Sequence, residues 1–428
     1  MSRTERIRDA YLGEEAQVCK LSCGLTVLGV RKPAFTRSYA TLATQYGSVD
    51  TSVRLNGHVR RVPDGTAHFL EHKVFQTPEG DAFDLFAALG GSANAFTSFN
   101  STRYLFSTSS DFWGNLGLLL DMVFDLTVDE AGIEKEKGII GQEISMYDDD
   151  PDWRLYFGLL QALYVRHPVR LDIAGTRETI AGIDVKLLQA VHRQYYHPSN
   201  MALAAVTGEP LDRLFRFVDE RLQKRSFGRA PARTGAAAPE PHRVGRRRLE
   251  LRLPVNRPRL VAGFKDAPSL RRGLSLLKRE VASAMALDCL FGSAGSVFNT
   301  LYERGLVDEG FYHDHKADRG YAFTMAGGET DDVGRLQEAL EQEIDAALQR
   351  GIGAADLERV RNKAWGDLAR AFNSPDAIAH MLIGHHFRGT RLPDFRRVLD
   401  AVTPRALTAR LRQLLDPRSR AYCAVLPA

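Results

Sequence analysis

Apolar and polar positions along the chain follow two different periods, which predict strands and helices. Residues 24–30 are apolar and β-rich, and residues 39–46 alternate between apolar and polar side chains. The stretch 16–60 is therefore predicted to form strands, with further strands over 92–99 and 104–108. Helical spacing predicts helices over 65–75, 81–89, 115–124 and about 133–147.

The composition changes after about residue 224, where the stretch A-P-A-R-T-G-A-A-A-P-E-P accumulates Pro, Ala and Gly. This predicts an interdomain linker over 225–248, between an N-terminal domain, 1–224, and a C-terminal domain, 249–428. Residues 198–206 and 417–425 share Pro, Ala, Ala and Val in register, which indicates an internal duplication. A chain of 428 residues is long enough for two domains.

The predicted helix G-T-A-H-F-L-E-H-K-V-F carries a candidate metal-binding face. Leu70 and Val74 can face a core, while His68, Glu71 and His72 lie at i, i+3 and i+4 and share another face. Two imidazoles one turn apart can bind one ion, and the carboxylate between them can act as general base toward a bound water. H-x-x-E-H is the inverted zinc-protease signature. The alternative is an ordinary solvated helix face.

The helical stretch I-E-K-E-K-G-I-I-G-Q-E-I-S-M-Y offers the remaining ligand. Its Glu136 and Glu143 are seven residues apart and project from one face. A catalytic zinc keeps three protein ligands and one open position, and Glu143 is the predicted third ligand. Glu136 joins Glu71 among the predicted catalytic residues, because it can orient a ligand or the bound water. The acidic run 148–152 is a rival source of the ligand, and solvated helix carboxylates are the plain alternative.

These motifs resemble the pitrilysin/insulinase family of zinc metallopeptidases, which includes the mitochondrial processing peptidase, and within it the bacterial YmfH-like branch. The motifs follow in the family's order along the chain: A-H-F-L-E-H-K, G-G-S-A-N-A-F-T-S, E-K-G-I-I-G-Q-E, D-P-D-W-R-L-Y-F and Y-Y-H-P-S-N-M. The resemblance covers most of the chain. It implies an α+β fold of two homologous domains, each a mostly antiparallel sheet packed with helices, which together form half of a clamshell.

The resemblance also implies the roles of individual residues. His68, His72 and Glu143 are expected to bind one Zn²⁺ per chain, and Glu71 is expected to be the base. The implied activity is zinc-dependent hydrolysis of peptides or small unfolded substrates inside a dimeric chamber. Two alternatives remain, a non-catalytic scaffold subunit that retains the fold and a zinc hydrolase for small molecules.

The strand predicted over 92–99 is expected to lie at the edge of a sheet beside the zinc. In the family a peptide substrate adds to this edge through main-chain hydrogen bonds. Asn94, Ala95 and Phe96 are the predicted substrate-binding residues. For Asn94, a structural hydrogen bond within the strand or turn is an equal alternative.

The C-terminal domain is expected to be an inactive repeat. The helix that should mirror the first motif, over 276–290, has no H-x-x-E-H. His313 and His315 have strand spacing, and His380 and His385 are five residues apart, so neither pair has the spacing of the first motif. Neither is expected to bind a metal.

One departure from the family pattern bears on assembly. Members that act alone carry Arg and Tyr in a pattern like L-R-E-x-x-G-L-x-Y, but here Tyr302 and Asp308 stand in those places, with Arg304 and Tyr312 nearby. A second subunit is therefore expected to supply the missing donors. This partner is either a zinc-less homologue in a heterodimer or a second copy in a homodimer.

Composition sets the remaining limits. The chain is 44% hydrophobic and 26% charged with a net charge of +4, which is typical of a soluble globular protein, and its dispersed basic residues predict no nucleic-acid partner. The charged start M-S-R-T-E-R and the lack of about 18 consecutive apolar residues predict no secretory signal and no membrane span. Four cysteines argue against a disulfide framework, and Cys19 and Cys23 are interpreted as unreactive thiols. The expected location is the cytoplasm.

Overall fold

The computed structural model describes residues 4–10, 12–232, 234, 239–267, 272–318 and 320–428. The strands are β1 Thr4–Asp9, β2 Glu14–Lys20, β3 Thr26–Arg31, β4 Ser38–Thr44, β5 Ser52–Leu55, β6 His58–Arg61, β7 Gln76–Thr77, β8 Gly80–Asp81, β9 Gly91–Thr97, β10 Thr102–Thr108, β11 Met201–Thr207, β12 Arg248–Leu253, β13 Arg259–Lys265, β14 Tyr312–Asp318, β15 Tyr321–Glu329 and β16 Arg420–Pro427. The helices are α1 Thr66–Val74, α2 Ala82–Ala88, α3 Phe112–Phe124, α4 Glu130–Asp149, α5 Pro151–Leu163, α6 Arg177–Ala181, α7 Val185–Tyr195, α8 Leu211–Gln223, α9 Leu274–Phe291, α10 Ser296–Glu303, α11 Val333–Arg350, α12 Ala354–Ala371, α13 Pro375–Arg388, α14 Leu392–Asp400 and α15 Pro404–Leu414.

Seven of the described strands form the sheet of the first compact unit, in the order β1-β2-β3-β11-β4-β10-β9. β11 runs parallel to β3, and the other neighbouring strands pair antiparallel. The strand predicted over 39–46 is β4, but both of its faces are buried because α3 packs on one side and α13 on the other. β9 ends the order, so one of its edges has no partner strand among the described residues.

The second compact unit repeats the topology of five of these strands, β3-β11-β4-β10-β9. Its described strands follow the order β12-β16-β13-β15-β14, with β16 parallel to β12 and the other pairs antiparallel. β11 and β16 occupy the same place in their sheets, and each follows a short 3₁₀ turn, Pro198–Asn200 or Pro417–Ser419. The predicted α+β fold of two repeated domains, each a mostly antiparallel sheet with helices, is therefore confirmed.

The two units interleave along the chain. One unit consists of Met1–Ile144, Asp172–Ala236 and Ala369–Pro393, and the other consists of Ser145–Leu171, Ala237–Leu368 and Asp394–Ala428. α5, from the N-terminal half, packs on β12, β13 and β16, whereas α13, from the C-terminal half, packs on β4 and β11. The predicted boundaries, 1–224, 225–248 and 249–428, treat the domains as consecutive and miss this exchange of one helix. The sequence of an amphipathic helix predicts that its apolar face is buried, but it does not predict which sheet that face packs against.

The described part of the predicted linker is anchored to the first unit through Thr234. Its hydroxyl donates to the carbonyl oxygen of Ser52 at 3.0 Å and accepts from Nε2 of Gln194 at 2.7 Å. Residues 233 and 235–238 of the same predicted linker lie outside the described residues. A Pro- and Ala-rich composition therefore does not exclude fixed contacts within a linker.

Glu240, near the end of the predicted linker, forms a buried ion pair in the second unit. Its carboxylate accepts from Nζ of Lys265 at 2.7 Å and from the N–H groups of residues 165–167 at 2.8–2.9 Å. The side chains of Glu240 and Lys265 are only 5% and 4% exposed. Burial alone raises the pKa of Glu240, but these hydrogen bonds and the ammonium charge bring it below the usual value of 4.5.

Replacing Glu240 by alanine is expected to destabilise the protein by about 3–5 kcal/mol, because it leaves the Lys265 ammonium buried without its partner. Glu250→Ala, at an exposed carboxylate, is the matched control and should change stability little.

Because the Glu240 pKa is lowered in the folded state, the contribution of Glu240 to the free energy of unfolding is present above about pH 4.5 and is lost as the pH falls through the lowered pKa. Urea unfolding of Glu240→Ala and Glu250→Ala at pH 7 and pH 4 measures the difference in stability between the two variants. Equal unfolding midpoints of the two variants at pH 7 would contradict the prediction.

α9 is an apolar helix in the interior of the second unit. By length and composition the stretch Leu274–Glu303, which includes α9 and α10, could cross a membrane, although the sequence analysis predicts no span. In its apolar window of 18 residues 67% is buried, and α9 packs against α15 and β14. A core helix that is apolar on most sides has the same composition.

Candidate metal centre

The helix α1 begins where the chain turns sharply at Gly65. Gly65 has a φ of +91°, and a Cβ there would lie 2.4 Å from the carbonyl oxygen of Ala174, so the position requires glycine. Phe69, Leu70 and Val74 are fully buried on one side of the helix. The core contact predicted for Leu70 and Val74 is thus present, and it fixes which way the opposite face points.

That opposite face directs His68, Glu71 and His72 toward α4. The two imidazole rings have centroids 4.6 Å apart. Nε2 of His68 lies 3.5 Å from Oε1 of Glu143, and Nε2 of His72 lies 3.5 Å from Oε2 of the same carboxylate. The structure therefore brings the three predicted ligands together from two helices that are distant in the chain.

These separations fit a single metal ion. Ligand atoms about 2.0–2.2 Å from a tetrahedral centre lie about 3.3–3.6 Å apart, whereas direct hydrogen bonds between nitrogen and oxygen are shorter. One donor atom from each of the three side chains lies within 4.8 Å of the others, and in the part of the chain that the structure describes this is the only such group. Two His and one carboxylate form a donor set of catalytic zinc sites, which leaves the fourth position for water.

Glu136 is not one of the three predicted ligands, but it contacts one of them, His72. Its Oε1 is 3.0 Å from Nδ1 of His72, and its Oε2 accepts from Nε2 of Gln76 at 3.0 Å. A carboxylate can only accept, so Nδ1 of His72 carries the proton and Nε2 is free to bind a metal. Burial lowers the pKa of His72, but the hydrogen bond and charge of Glu136 outweigh this and raise it above its ordinary value. The outer position is the one that the sequence predicts for Glu136.

Glu71, the predicted base, is 8% exposed and is not one of the three ligands. The hydroxyl of Thr97 donates to its Oε2 at 2.5 Å. Burial raises the pKa of Glu71, and the neighbouring His68, Thr97 and His72 only partly oppose this. A carboxyl group with a raised pKa beside a metal site is suited to accept and return a proton.

The edge strand β9 contributes to the site through alternate residues. Thr97 faces the metal ligands, so Ala95 lies on the same face, whereas Phe96 lies on the opposite face, 5.6 Å from the ring of His380 in α13. Asn94 shares the face of Phe96, and its Oδ1 accepts from the N–H of Ala95 at 2.8 Å. The Asn94 side chain thus points away from the face that carries Thr97, and its contact with a substrate stays a prediction. Its hydrogen bond within the strand matches the structural alternative.

Comparisons with known proteins agree with this arrangement. The family description Insulinase (Peptidase family M16) matches residues 35–177, which include α1 and α4, and Peptidase M16 inactive domain matches residues 182–364. Uncharacterized zinc protease YmfH of Bacillus subtilis is 39% identical over 413 residues, which cover 95% of this chain and 96% of that protein. The chain belongs to the M16 family of peptidases. The resemblance drawn from the motifs is therefore confirmed.

Other M16 proteins are also similar to this chain in sequence or in structure. Uncharacterized zinc protease YmxG of Bacillus subtilis is 28% identical, over 82% of this chain and 86% of its own length. The crystal structure of a putative M16-like peptidase from Alicyclobacillus acidocaldarius is 35% identical, covers 99% of this chain and 100% of that chain, and superposes with a TM-score of 0.94. Pitrilysin is 19% identical with a TM-score of 0.76 over 47% of its chain, which shows a shared fold. The curated relatives are named zinc proteases, and M16 membership makes this chain zinc-protease-like.

The acidic run of this M16 chain has other partners. Asp148 pairs with Arg154 at 2.7 Å, and Asp152 pairs with Arg259 at 2.6 Å. Asp150 caps the N-terminus of α5 by accepting from two backbone N–H groups. Three of the four acidic residues in the rival source of a third ligand are therefore occupied in capping and ion pairing.

The remaining histidine and cysteine candidates have ordinary surroundings. Nδ1 of His315 bonds with the hydroxyl of Thr324 at 3.0 Å, and Nδ1 of His385 bonds with that of Thr390 at 2.8 Å. Burial lowers the pKa of His315 and that of His380 to about 4. Nε2 of His313 lies 3.7 Å from a carboxylate oxygen of Asp288, and Nε2 of His380 lies 2.9 Å from the hydroxyl of Tyr39. Cys19 and Cys23 form no disulfide within the described part of the chain.

The sequence analysis missed two polar residues of the M16 site, Thr97 and Gln76. Thr97 lies two residues after Ala95 in a predicted strand, so the period of two could have placed both on one face. Gln76 directly follows α1, where no periodic pattern continues. Its contact with Glu136 joins segments 60 residues apart, and nothing in the local sequence signals it.

Proposed function

We propose that this chain is the catalytic subunit of a zinc metalloendopeptidase. The observation that carries the proposal is the convergence of His68, His72 and Glu143 on one point, with Glu71 beside it. A scaffold subunit would need neither three converging ligands nor a buried carboxyl group with a raised pKa next to them. The names of the curated relatives as zinc proteases support zinc as the metal.

The residues around the site have separate roles in peptide hydrolysis. A zinc ion bound by His68, His72 and Glu143 would supply an activated water and polarise the substrate carbonyl. Glu71 accepts a proton from the attacking water as its oxygen bonds to the carbonyl carbon. Glu71 then returns this proton to the amide nitrogen as the C–N bond breaks, so that an acid and an amine leave. Thr97 holds Glu71 in the required orientation through its short hydrogen bond.

The open edge of β9 supports an extended peptide as substrate. A peptide that pairs with this edge gains main-chain hydrogen bonds whatever its sequence. Ala95 would contact it on the metal side of the strand, and Phe96, 40% exposed, on the other side. A strand-forming substrate favours peptides and unfolded segments over small molecules.

We also propose that a second subunit completes the site. Arg304, a candidate donor, instead bonds with Oε1 of Glu343 at 2.8 Å, and Tyr302 is an exposed side chain. Asp308, where the family pattern has Tyr, pairs with Arg257 at 2.8 Å. The partner would be a zinc-less homologue or a second copy, in a chamber within the cytoplasm.

Metal analysis together with a peptide-library assay tests the proposal. The purified full chain should bind one zinc per chain and cleave unstructured peptides, with the activity lost on chelation and restored by added zinc. A chain that binds no zinc and cleaves nothing would instead be a scaffold. Full activity in an isolated monomer, established by light scattering, would contradict the second-subunit proposal while leaving the zinc peptidase intact.

A further inference from the structure

A network of polar groups, two buried and two partly buried, extends from the predicted metal ligand His72. His72 bonds through Nδ1 to Oε1 of Glu136, and Oε2 of Glu136 accepts from Nε2 of Gln76. Oε1 of Gln76 in turn accepts a hydrogen bond from Nζ of Lys73. Lys73 is 1% exposed and Glu136 is 4% exposed, whereas Gln76 and His72 are partly buried, so water has little access to the two charged groups of the network.

The chemistry of each group allows only one arrangement of donors and acceptors in this network. The Lys73 ammonium only donates, so it must meet the oxygen of the Gln76 carboxamide. The Gln76 amide nitrogen is then directed at Glu136, whose carboxylate can only accept. One oxygen of Glu136 is held by Gln76, and the other remains for the N–H of His72. Reversing the amide of Gln76 would place its oxygen against the carboxylate and its N–H₂ against the ammonium.

The packing around Lys73 keeps its ammonium group at this position. A Cβ added at Gly132, in the first turn of α4, would lie 2.7 Å from Nζ of Lys73 and 2.8 Å from Oδ1 of Asp129. The missing side chain of Gly132 thus leaves the space in which the ammonium lies. Burying a lysine is costly unless it is hydrogen-bonded and close to opposite charge, and Gln76, Glu136 and Asp129 supply those interactions.

We propose that Gln76 and Lys73 are positioning residues for the metal centre. They hold Glu136 in the orientation that keeps the proton of His72 on Nδ1 and leaves Nε2 available for the metal. This inference rests on the proposed zinc peptidase function, but it concerns how the ligand is oriented rather than which reaction follows. Partners of metal-bound histidine typically change metal affinity about 10–100-fold when they are removed.

The test measures zinc affinity, by competition with a chelating indicator, for the full chain and for Gln76→Met, which keeps length but removes both hydrogen bonds. The variant should bind zinc more weakly than the unchanged protein, by less than the about 10–100-fold that loss of Glu136, the direct partner of His72, would cause. Lys73→Met should weaken binding in the same direction by a smaller factor, because Gln76 can then reverse its amide. Gln223→Met, at an exposed glutamine of α8, is the matched control and should leave zinc affinity unchanged.

A spectroscopic measurement separates positioning from simple loss of structure. In ¹⁵N-histidine-labelled protein without metal, at an alkaline pH where the imidazole is neutral, His72 should show the Nδ1–H tautomer in the unchanged chain and a mixture of tautomers in Gln76→Met. Unaltered zinc affinity and tautomer in Gln76→Met would overturn the inference, and Lys73→Met provides the same test if Gln76→Met does not fold. An unchanged chain that binds no zinc would overturn the proposed function instead, and the tautomer measurement would still decide the role of Gln76.

Discussion

Glu71→Gln is expected to retain zinc and to lose peptide cleavage, with kcat lower by about 10²–10⁴-fold. Glutamine keeps the shape of the side chain and can still bond with Thr97, but it cannot accept the proton of the attacking water. Glu71 is not among the three converging ligands, so the metal should remain bound. Turnover of a quenched peptide and zinc content measured on the same preparation give the two quantities.

The matched control for this substitution is Glu79→Gln, an exposed glutamate in the turn between β7 and β8. It should leave both zinc content and turnover at the level of the unchanged protein. If Glu71→Gln turned over peptide at that level too, Glu71 would not be the base. If it lost zinc, the ligand set would have to include Glu71.

His72→Ala is expected to lose both zinc and activity. The substitution removes one of three ligands and also leaves Glu136 buried without the N–H that it binds, so the loss of zinc affinity should exceed the about 10–100-fold that removal of an outer partner causes. Glu143→Gln should weaken zinc binding in the same direction, because a neutral amide is a poorer ligand than a carboxylate. Zinc affinity by indicator competition and residual peptide cleavage measure the effect.

His58→Ala, at an exposed histidine of the β5–β6 hairpin, is the control that removes an imidazole elsewhere in the first unit. It should bind one zinc per chain and cleave peptides at the unchanged rate. Circular dichroism should show the same fold for both alanine variants, because the side chain of His72 is 26% exposed and is not part of the apolar core. A His72→Ala protein that binds zinc normally would refute the assignment of the site.

Much of the site can be predicted from the spacing of a few residues along each helix. The i, i+3, i+4 placement of His68, Glu71 and His72 on one helix face follows from the geometry of any α-helix, and so does the common face of Glu136 and Glu143. The buried Leu70 and Val74 then decide that the histidines face away from the core. These features depend only on local geometry, which is why the sequence predicts the face of each helix, whereas the meeting of the two faces depends on how α1 and α4 pack.

Other features depend on contacts between distant segments. The strand alternation that defines β9 was visible, but which of its faces meets the metal ligands depends on the packing of α1, and that places Asn94 on the far side from Glu71. Gln76 shows no pattern of its own, because its role exists only where α4 lies beside it.

The sequence by itself determined the candidate metal-binding helix face, the acidic partners on a second helix, the duplicated α+β architecture and the family to which the chain belongs. Only the tertiary structure decided that α5 and α13 are exchanged between the two sheets, that Glu240 of the linker forms a buried ion pair, and that Lys73 and Gln76 support Glu136. The physical reason is that residue periodicity defines the faces of one element, whereas the choice of which faces meet is made by the free energy of packing the whole chain.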